Sequence, residues 1–330
     1  MQACAGPEGE GSDPARLTQK DPTQAREEHC GKDGQIVFST PMKVCVTCGH
    51  GFDSRTWTCP CCGWTPATHD TWPVFAPDVA DGDDGISRES FAALAQLEAD
   101  HFWFRARNRL LIWAIRTYFP RAGSFLEVGC GTGFVLTGIG EAFPDLALAG
   151  SEVRNAGLSF ARSRLPGVQL FQMDARCLPF AEEFDVIGAF DVLEHIDDDK
   201  AALGQLFRAT RPGGGIVLTV PQHQFLWSVV DERSLHRRRY RRLDLLRKVE
   251  GAGFHILKTT SFVSGLLPLV WLSRFVQNRC GFGACGEFRM SRWTNTIFER
   301  VLDLERVLIA AGASLPVGAS LLVVATREDS

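Results

Sequence analysis

The segment Glu127-Val-Gly-Cys-Gly-Thr-Gly133 sits at the end of a short apolar run, Ser124 to Val128, and leads into a helical pattern that begins at Phe134. Three glycines at alternate positions let the backbone turn tightly and approach a ligand closely. A strand-loop-helix passage of this kind belongs to folds that bind ligands at the carboxyl ends of parallel strands. No phosphate-binding Lys follows the loop, and its GxGxG spacing differs from the dinucleotide fingerprint. The loop is therefore neither a P-loop nor a nicotinamide site.

The chain beyond the loop keeps the same alternation. Strands are expected at Ser124 to Val128, Leu146 to Ser151, Gln169 to Gln172, Phe184 to Ala189 and Gly215 to Val220. Between them lie helical patterns at Phe134 to Phe143, Asn155 to Arg164 and Asp199 to Thr210. A helix to Ala252, a strand from Phe254 to Thr260, a helix from Trp293 to Ala311 and a strand from Ser320 to Thr326 close the series. This alternation predicts an α/β, doubly wound, Rossmann-like sheet with helices on both faces. Before it, Arg88 to Tyr118 carries apolar residues at three- and four-residue steps, which suggests two helices, and Pro120 ends the second.

The amino-terminal third is organised differently. Residues 1 to 34 are rich in Gly, Pro, Gln, Asp and Glu and are expected to be a disordered tail. Residues 35 to 66 switch to Cys, Val, Phe and Trp and form a small module, and residues 67 to 87 return to Pro, Asp and Gly as a linker. Residues 88 to 330 make up the α/β domain, with insertions at about 222 to 245 and 262 to 312. Neither a basic start nor an apolar stretch follows Met1, so a cytoplasmic location is expected. The longest uncharged apolar stretch, Thr259 to Ser273, contains Pro268 and falls short of the about 20 residues a spanning helix needs.

Within the module, Cys45-Val-Thr-Cys48 and Cys59-Pro-Cys-Cys62 are separated by ten residues, with Gly49 and Gly63 placed to turn each pair. Paired CxxC motifs of this spacing predict a structural zinc held by Cys45, Cys48, Cys59 and Cys62, closed to catalysis. Iron in a rubredoxin-like site is the alternative. Cys61 is an extra thiol that could replace the fourth ligand. A module this small has too little core to fold alone, and the metal would supply the missing stability. Cys130 and Cys177 are expected to be small buried fillers, while Cys280 and Cys285 fall in a glycine-rich loop.

The glycine loop, together with further motifs in order, resembles the class I S-adenosylmethionine-dependent methyltransferases, from about Asp100 to the carboxyl terminus. The resemblance implies a seven-stranded sheet and S-adenosyl-L-methionine as cofactor, released as S-adenosyl-L-homocysteine. It assigns the loop to Glu127, Gly129, Gly131 and Gly133, and the two ribose hydroxyls to Glu152, about 20 residues further on. Met173-Asp-Ala175 resembles the adenine-binding segment, which places Asp174 and Ala175 there. Phe190-Asp-Val-Leu-Glu-His-Ile196 resembles the motif that passes the cofactor's methionine end, which places Asp191 there. From the cluster His101 to Arg109, Trp103 and Arg105 are candidates to cover the cofactor and meet its carboxylate.

Methyl transfer from a sulfonium needs alignment, water exclusion and, for a hydroxyl acceptor, a base. His195 and His223, at the carboxyl edge of the sheet, are rival candidates for that base. The segment from Trp227 to Tyr240 resembles a signature in a bacterial small-molecule branch of the family, which implies that Asp231, His236 and Tyr240 line the acceptor pocket. Six arginines between Arg233 and Arg242 could receive an anionic acceptor or form a solvated face. The expected acceptor is a metabolite, glycan or lipid-linked compound, methylated on oxygen. The apolar run at 262 to 272 is a candidate lid or membrane contact.

An RNA or protein methyltransferase that grips its substrate through the zinc module is the second reading. Against it stand the net charge of −4 and Asp191-Val-Leu-Glu in place of the Asn/Asp-Pro-Pro-aromatic motif of nucleic-acid amino-methylating enzymes. A cofactor-binding regulator without transfer activity is the third.

Overall fold

A computed structural model describes residues 42–81, 87–280 and 290–329. The expected tail, residues 35–41 of the cysteine module and Cys285 lie outside the described residues. Along the chain come β1 (Met42–Val44), β2 (Gly51–Phe52), β3 (Ala67–His69), β4 (Trp72–Val74), α1 (Pro77–Ala80), α2 (Arg88–Leu97) and α3 (Phe102–Tyr118). The alternating part follows with β5 (Ser124–Val128), α4 (Phe134–Ala142), β6 (Ala147–Glu152), α5 (Asn155–Arg164), β7 (Gln169–Gln172), β8 (Phe180–Ala181) and β9 (Phe184–Phe190). Then come α6 (Asp199–Ala209), β10 (Thr210–Pro221), α7 (Val229–Arg233), α8 (Arg242–Gly251), β11 (His255–Phe262), α9 (Leu267–Cys280), α10 (Arg292–Ala310) and β12 (Ser320–Thr326).

The main sheet has nine strands in the order β11-β12-β10-β9-β5-β6-β7-β4-β3. β10, β9, β5, β6, β7 and β4 pair in parallel, while β12 runs antiparallel to β10 and β11. The central strands are buried on both faces and so read as near-continuous apolar runs, such as Val186-Ile187-Gly188-Ala189-Phe190 in β9. One face packs Leu126, Ile187 and Leu218 with Leu203 and Leu206 of α6 and Leu245 and Val249 of α8. The other packs Phe125, Val186 and Val217 with Leu111 and Ile115 of α3, Leu136 of α4 and Leu302 of α10.

The seven expected strands are present, and two more extend the β7 edge. These two correct the reading of residues 67 to 87 as a linker: β3 and β4 form a hairpin, and Val74 pairs in parallel with Gln172. Trp72 is fully buried there, with its indole N–H donating to Asn155 Oδ1 at 3.0 Å. The hairpin is too short for a periodic signal, and Pro73, which has no N–H to donate, suits it only near a sheet edge.

The cysteine module docks on the same side. β1 pairs antiparallel with β2 and with β8, so the small sheet ends on a strand of the α/β domain. Trp57 meets Phe75, Phe171 and Phe180 edge-on at 4.8, 5.9 and 5.7 Å between ring centroids. Module and domain thus share one apolar layer.

The apolar run at 262 to 272 is divided between elements. Phe262, Val263 and Leu266 are buried, and the chain then enters α9, where Pro268 is accommodated in the first turn and Leu269, Trp271 and Leu272 are exposed. Cys280 ends this helix and does not lie in a loop, and Cys177 is exposed, whereas Cys130 is buried. Among the described residues no helix is long and apolar enough to cross a membrane.

Candidate active site

The loop between β5 and α4 holds Gly129, Gly131 and Gly133 at φ of 72°, 51° and 78°. A Cβ at Gly129 would fall 2.4 Å from Val192 Cγ2, so only glycine lets the loop pass the segment after β9. At Gly131 the neighbour is the Phe91 ring of α2, with Cε1 3.9 Å from where a Cβ would stand. α2 therefore roofs the loop. Its last turn is tied down by Glu98, a buried carboxylate that accepts from Thr132 Oγ1 at 2.6 Å and from Arg164 Nη1 at 2.7 Å.

Two further carboxylates face the loop. Glu152, the last residue of β6, accepts the Gly131 amide on Oε2 at 3.1 Å and the Val153 and Arg154 amides on Oε1 at 2.8 and 3.2 Å. Burial raises its pKa above the ordinary carboxylate value, with these amides opposing. Glu127, also buried, has no hydrogen-bond partner on Oε2, and burial pushes its carboxyl well above the usual range while the Arg107 charge pulls it back.

The candidate Arg105 is placed elsewhere. Its guanidinium grips Glu299 of α10 and the carbonyls of Ala99 and Asp100, the latter two at 3.1 and 2.8 Å. Two positions along α3 the opposite face is reached, and there Arg107 pairs with Asp191 and lies 4.3 Å above the Trp103 ring. Arg107, rather than Arg105, is thus the arginine of α3 that stands beside Asp191 and Trp103. Asp191 sits at the sharp turn leaving β9, at a φ of 58°. Asp174, after β7, is held by the Arg176 amide at 2.8 Å and by its guanidinium; burial raises this carboxyl, but Arg176 outweighs it and brings it below the ordinary value. Ala175 packs against the adjoining core.

The acceptor candidates separate into two sets, His195, Asp231 and His236 in one and His223 and Tyr240 in the other, and Glu194, not among them, joins the first. Glu194, His195 and His236 converge, with a ligand atom of each within 4.8 Å of the others and the two imidazole rings edge-on at 4.8 Å. His236 Nδ1 lies 2.9 Å from Asp231 Oδ1. Asp231 also accepts Arg239 Nε at 2.7 Å and the Ser228 amide at 2.9 Å. Burial raises this carboxyl, but the His236 hydrogen bond and the Arg239 charge outweigh it and bring it to about 2. His195 is pushed down to about 4 by burial and by His236, so it is neutral at pH 7.

The other two candidates stand apart. His223, at a φ of 65°, stacks on Phe225 at 5.1 Å. Tyr240 is buried, and its hydroxyl donates to Asp199 Oδ2 at 2.6 Å, which fastens the loop to α6 and leaves it a structural residue. Of the six arginines between 233 and 242, Arg233, Arg237 and Arg241 are exposed and the other three are engaged within the protein. Arg239 is buried on Asp231, Arg238 meets Asp199 at 3.0 Å, and Arg242 donates to Ser261 Oγ at 3.1 Å.

In the amino-terminal module the four cysteine sulfurs of Cys45, Cys48, Cys59 and Cys62 lie within 4.8 Å of one another, with Sγ–Sγ distances of 3.6 Å (Cys45–Cys62) and 3.7 Å (Cys48–Cys59). Zinc–sulfur bonds of about 2.3 Å in a tetrahedron put sulfurs about 3.8 Å apart, so these residues fit that ion. Both turns have the same form: Gly49 N donates to Cys45 O and Gly63 N to Cys59 O, with both glycines left-handed. Cys61 is exposed and outside the group.

Comparison with known proteins identifies the family of the domain. Residues 95–259, half of the 330, match the profile of the methyltransferase domain family. The chain is 26% identical over 175 residues to a probable S-adenosylmethionine-dependent methyltransferase of Mycolicibacterium smegmatis, covering 51% of this chain and 65% of that protein. It is 30% identical over 102 residues to trans-aconitate 2-methyltransferase of an Azoarcus species, covering 31% of this chain and 40% of that protein. Both matches span less than two thirds of the relative's own length. In fold it is similar to phosphoethanolamine N-methyltransferase 2 of Haemonchus contortus, solved with S-adenosyl-L-methionine, with a TM-score of 0.50 at 17% identity over 73% of this chain and 57% of that one. By its sequence match and its sheet, the chain belongs to the methyltransferase domain family.

Proposed function

We propose that the chain is an S-adenosyl-L-methionine-dependent methyltransferase that methylates an oxygen of a small-molecule acceptor, a metabolite, glycan or lipid-linked compound. The observation that carries this reading is the pair of buried carboxylates at the glycine loop. Glu127 has an unpartnered oxygen, and Glu152 lies against the Gly131 amide. The cofactor supplies an activated methyl on a sulfonium, an ammonium group and a ribose diol. Glu127 would receive the ammonium, and Glu152 the diol, each of its oxygens accepting one hydroxyl. Trp103 and Arg107 would cover the methionine end, with Asp174 and Ala175 at the adenine. α2, fixed through Glu98, excludes water from the loop. The methyl then faces Glu194, His195 and His236, which activate the acceptor hydroxyl.

The four cysteines would hold a structural zinc that keeps Trp57 against the domain. The relative named as a trans-aconitate 2-methyltransferase supports a small-molecule acceptor, and an Aspergillus nomiae protein named as an O-methyltransferase, 33% identical over 105 residues covering 30% of this chain and 46% of that protein, supports oxygen as the atom methylated.

The test is to incubate the protein with methyl-labelled S-adenosyl-L-methionine and host extract and to separate lipids, small metabolites, RNA and protein. Label in the lipid or metabolite fraction is expected. Label confined to RNA or protein would replace the acceptor class.

A further inference from the structure

Glu194 is fully buried, and neither of its carboxylate oxygens has a hydrogen-bond partner. The approach of His236 Nε2 to Oε1, at 3.9 Å, is too long for a hydrogen bond. We propose that Glu194, His195 and His236 bind a divalent transition-metal cation, and that this ion takes the acceptor hydroxyl as a further ligand. The catalytic consequence rests on the methyl-transfer reading; the binding of the ion does not.

Arg107 pairs with Asp191 and Arg239 with Asp231, so neither guanidinium satisfies the Glu194 oxygens by a hydrogen bond. A buried acid without a partner is costly, and an ion at its oxygens removes that cost.

The histidines are arranged as ligands. Asp231, already accepting from Arg239 and Ser228, accepts the Nδ1 proton of His236 and so orients the ring with Nε2 toward Glu194. A carboxylate behind the far nitrogen is how metal-binding imidazoles are held in one tautomer. Glu194 and His195 are neighbours on one 3₁₀ turn, and the Arg237 amide donates to the Glu194 carbonyl at 2.7 Å, which ties that turn to the loop carrying His236. Metal bonds of about 2.1 Å put adjacent ligands about 3 to 3.5 Å apart, so a 3.9 Å gap closes with a movement of under about 1 Å. Two imidazoles and one carboxylate suit zinc, manganese or iron(II) better than magnesium or calcium, which prefer all-oxygen sites.

An ion at this point would lower the pKa of a bound hydroxyl, as it does for bound water. The acceptor proton leaves to solvent, the new O–CH3 bond forms as the S–CH3 bond breaks, and the sulfonium becomes a neutral thioether.

Manganese(II) is the probe, because it does not compete for a four-thiolate site. The full chain, dialysed against citrate with its cysteine-bound zinc retained, is titrated with manganese and followed by the loss of the free-ion EPR signal. One manganese per chain is expected, with ¹⁴N couplings from imidazole in the pulsed EPR spectrum. Glu194→Gln, which is nearly isosteric, is expected to weaken binding by at least about tenfold, and His236→Gln gives the same test should the first variant fold poorly. No manganese uptake by the wild type, bound manganese without nitrogen coupling, or unchanged affinity in a folded variant would overturn the proposal. S-adenosyl-L-homocysteine binding, measured on the same samples, separates the two readings. Manganese bound as described with no homocysteine derivative bound keeps the ion site and removes the methyltransferase reading, whereas the reverse result removes the ion site alone.

Discussion

The Gly131 amide donates to Glu152 Oε2 at 3.1 Å, so the glycine loop is braced by the carboxylate proposed to hold the cofactor's ribose. Burial raises this carboxyl above its ordinary value, the amides of Arg154, Gly131 and Val153 opposing. A carboxylate accepts two hydroxyls, whereas a protonated acid gives up one acceptor position. Affinity for S-adenosyl-L-homocysteine is therefore expected to fall as pH is lowered toward the ordinary carboxylate range, and Glu152→Gln should flatten that dependence. Calorimetric titration across pH reads it directly; a parallel fall in the variant would place the titrating group elsewhere.

Glu127 is held well above the usual carboxylate range by burial. Its unfolded value is about 4.3, so the native state binds the proton more tightly and loses stability as pH rises above that value. Glu127→Gln lacks this loss. Its melting temperature should exceed that of the wild type by a margin that widens as pH rises above the unfolded value, while affinity for the homocysteine derivative falls at least about tenfold. Thermal scans with and without ligand measure both effects, and a destabilised variant would contradict the account.

Arg105 and Arg107 should give opposite phenotypes. Arg107→Met removes the guanidinium between Trp103 and Asp191, and kcat/KM should fall at least about tenfold, or about 1.4 kcal/mol. Arg105→Met breaks a partly exposed pair with Glu299 and should cost no more than about 1 kcal/mol of stability with cofactor affinity intact. Kinetics and denaturant unfolding of the two variants decide between the arginines.

The sulfur geometry predicts one tightly held zinc per chain. Because Trp57 joins the module to Phe75, Phe171 and Phe180, displacing the metal with a mercurial should lower the melting temperature of the whole chain rather than release a separate transition. Metal analysis of protein purified without chelator checks the stoichiometry, and finding no zinc would end this assignment.

Legibility in the sequence follows how local each signal is. The glycine loop and each CxxC pair are legible because their geometry depends on spacing within one turn, whereas Glu152 is legible only through the family resemblance, which expects an acid at the end of the next strand. Arg107 is not legible, since residues two apart on a helix face opposite sides. Which face meets the site depends on Glu299, about 190 residues away, which claims Arg105. Tyr240 lies beside His236 in the sequence, yet its hydroxyl belongs to Asp199 on α6. Glu194 lies inside the Phe190 to Ile196 motif, and only its burial without a hydrogen-bond partner distinguishes it there. The β3–β4 hairpin and α9 escaped because a three-residue strand and a helix opening on Leu-Pro carry no periodicity of their own.

The most direct test of the cofactor site is calorimetric titration of S-adenosyl-L-homocysteine into the wild-type chain and Glu152→Ala. The account predicts one site per wild-type chain and at least about tenfold weaker binding in the variant, about 1.4 kcal/mol. No binding to the wild type, or equal affinity in both proteins, would contradict it.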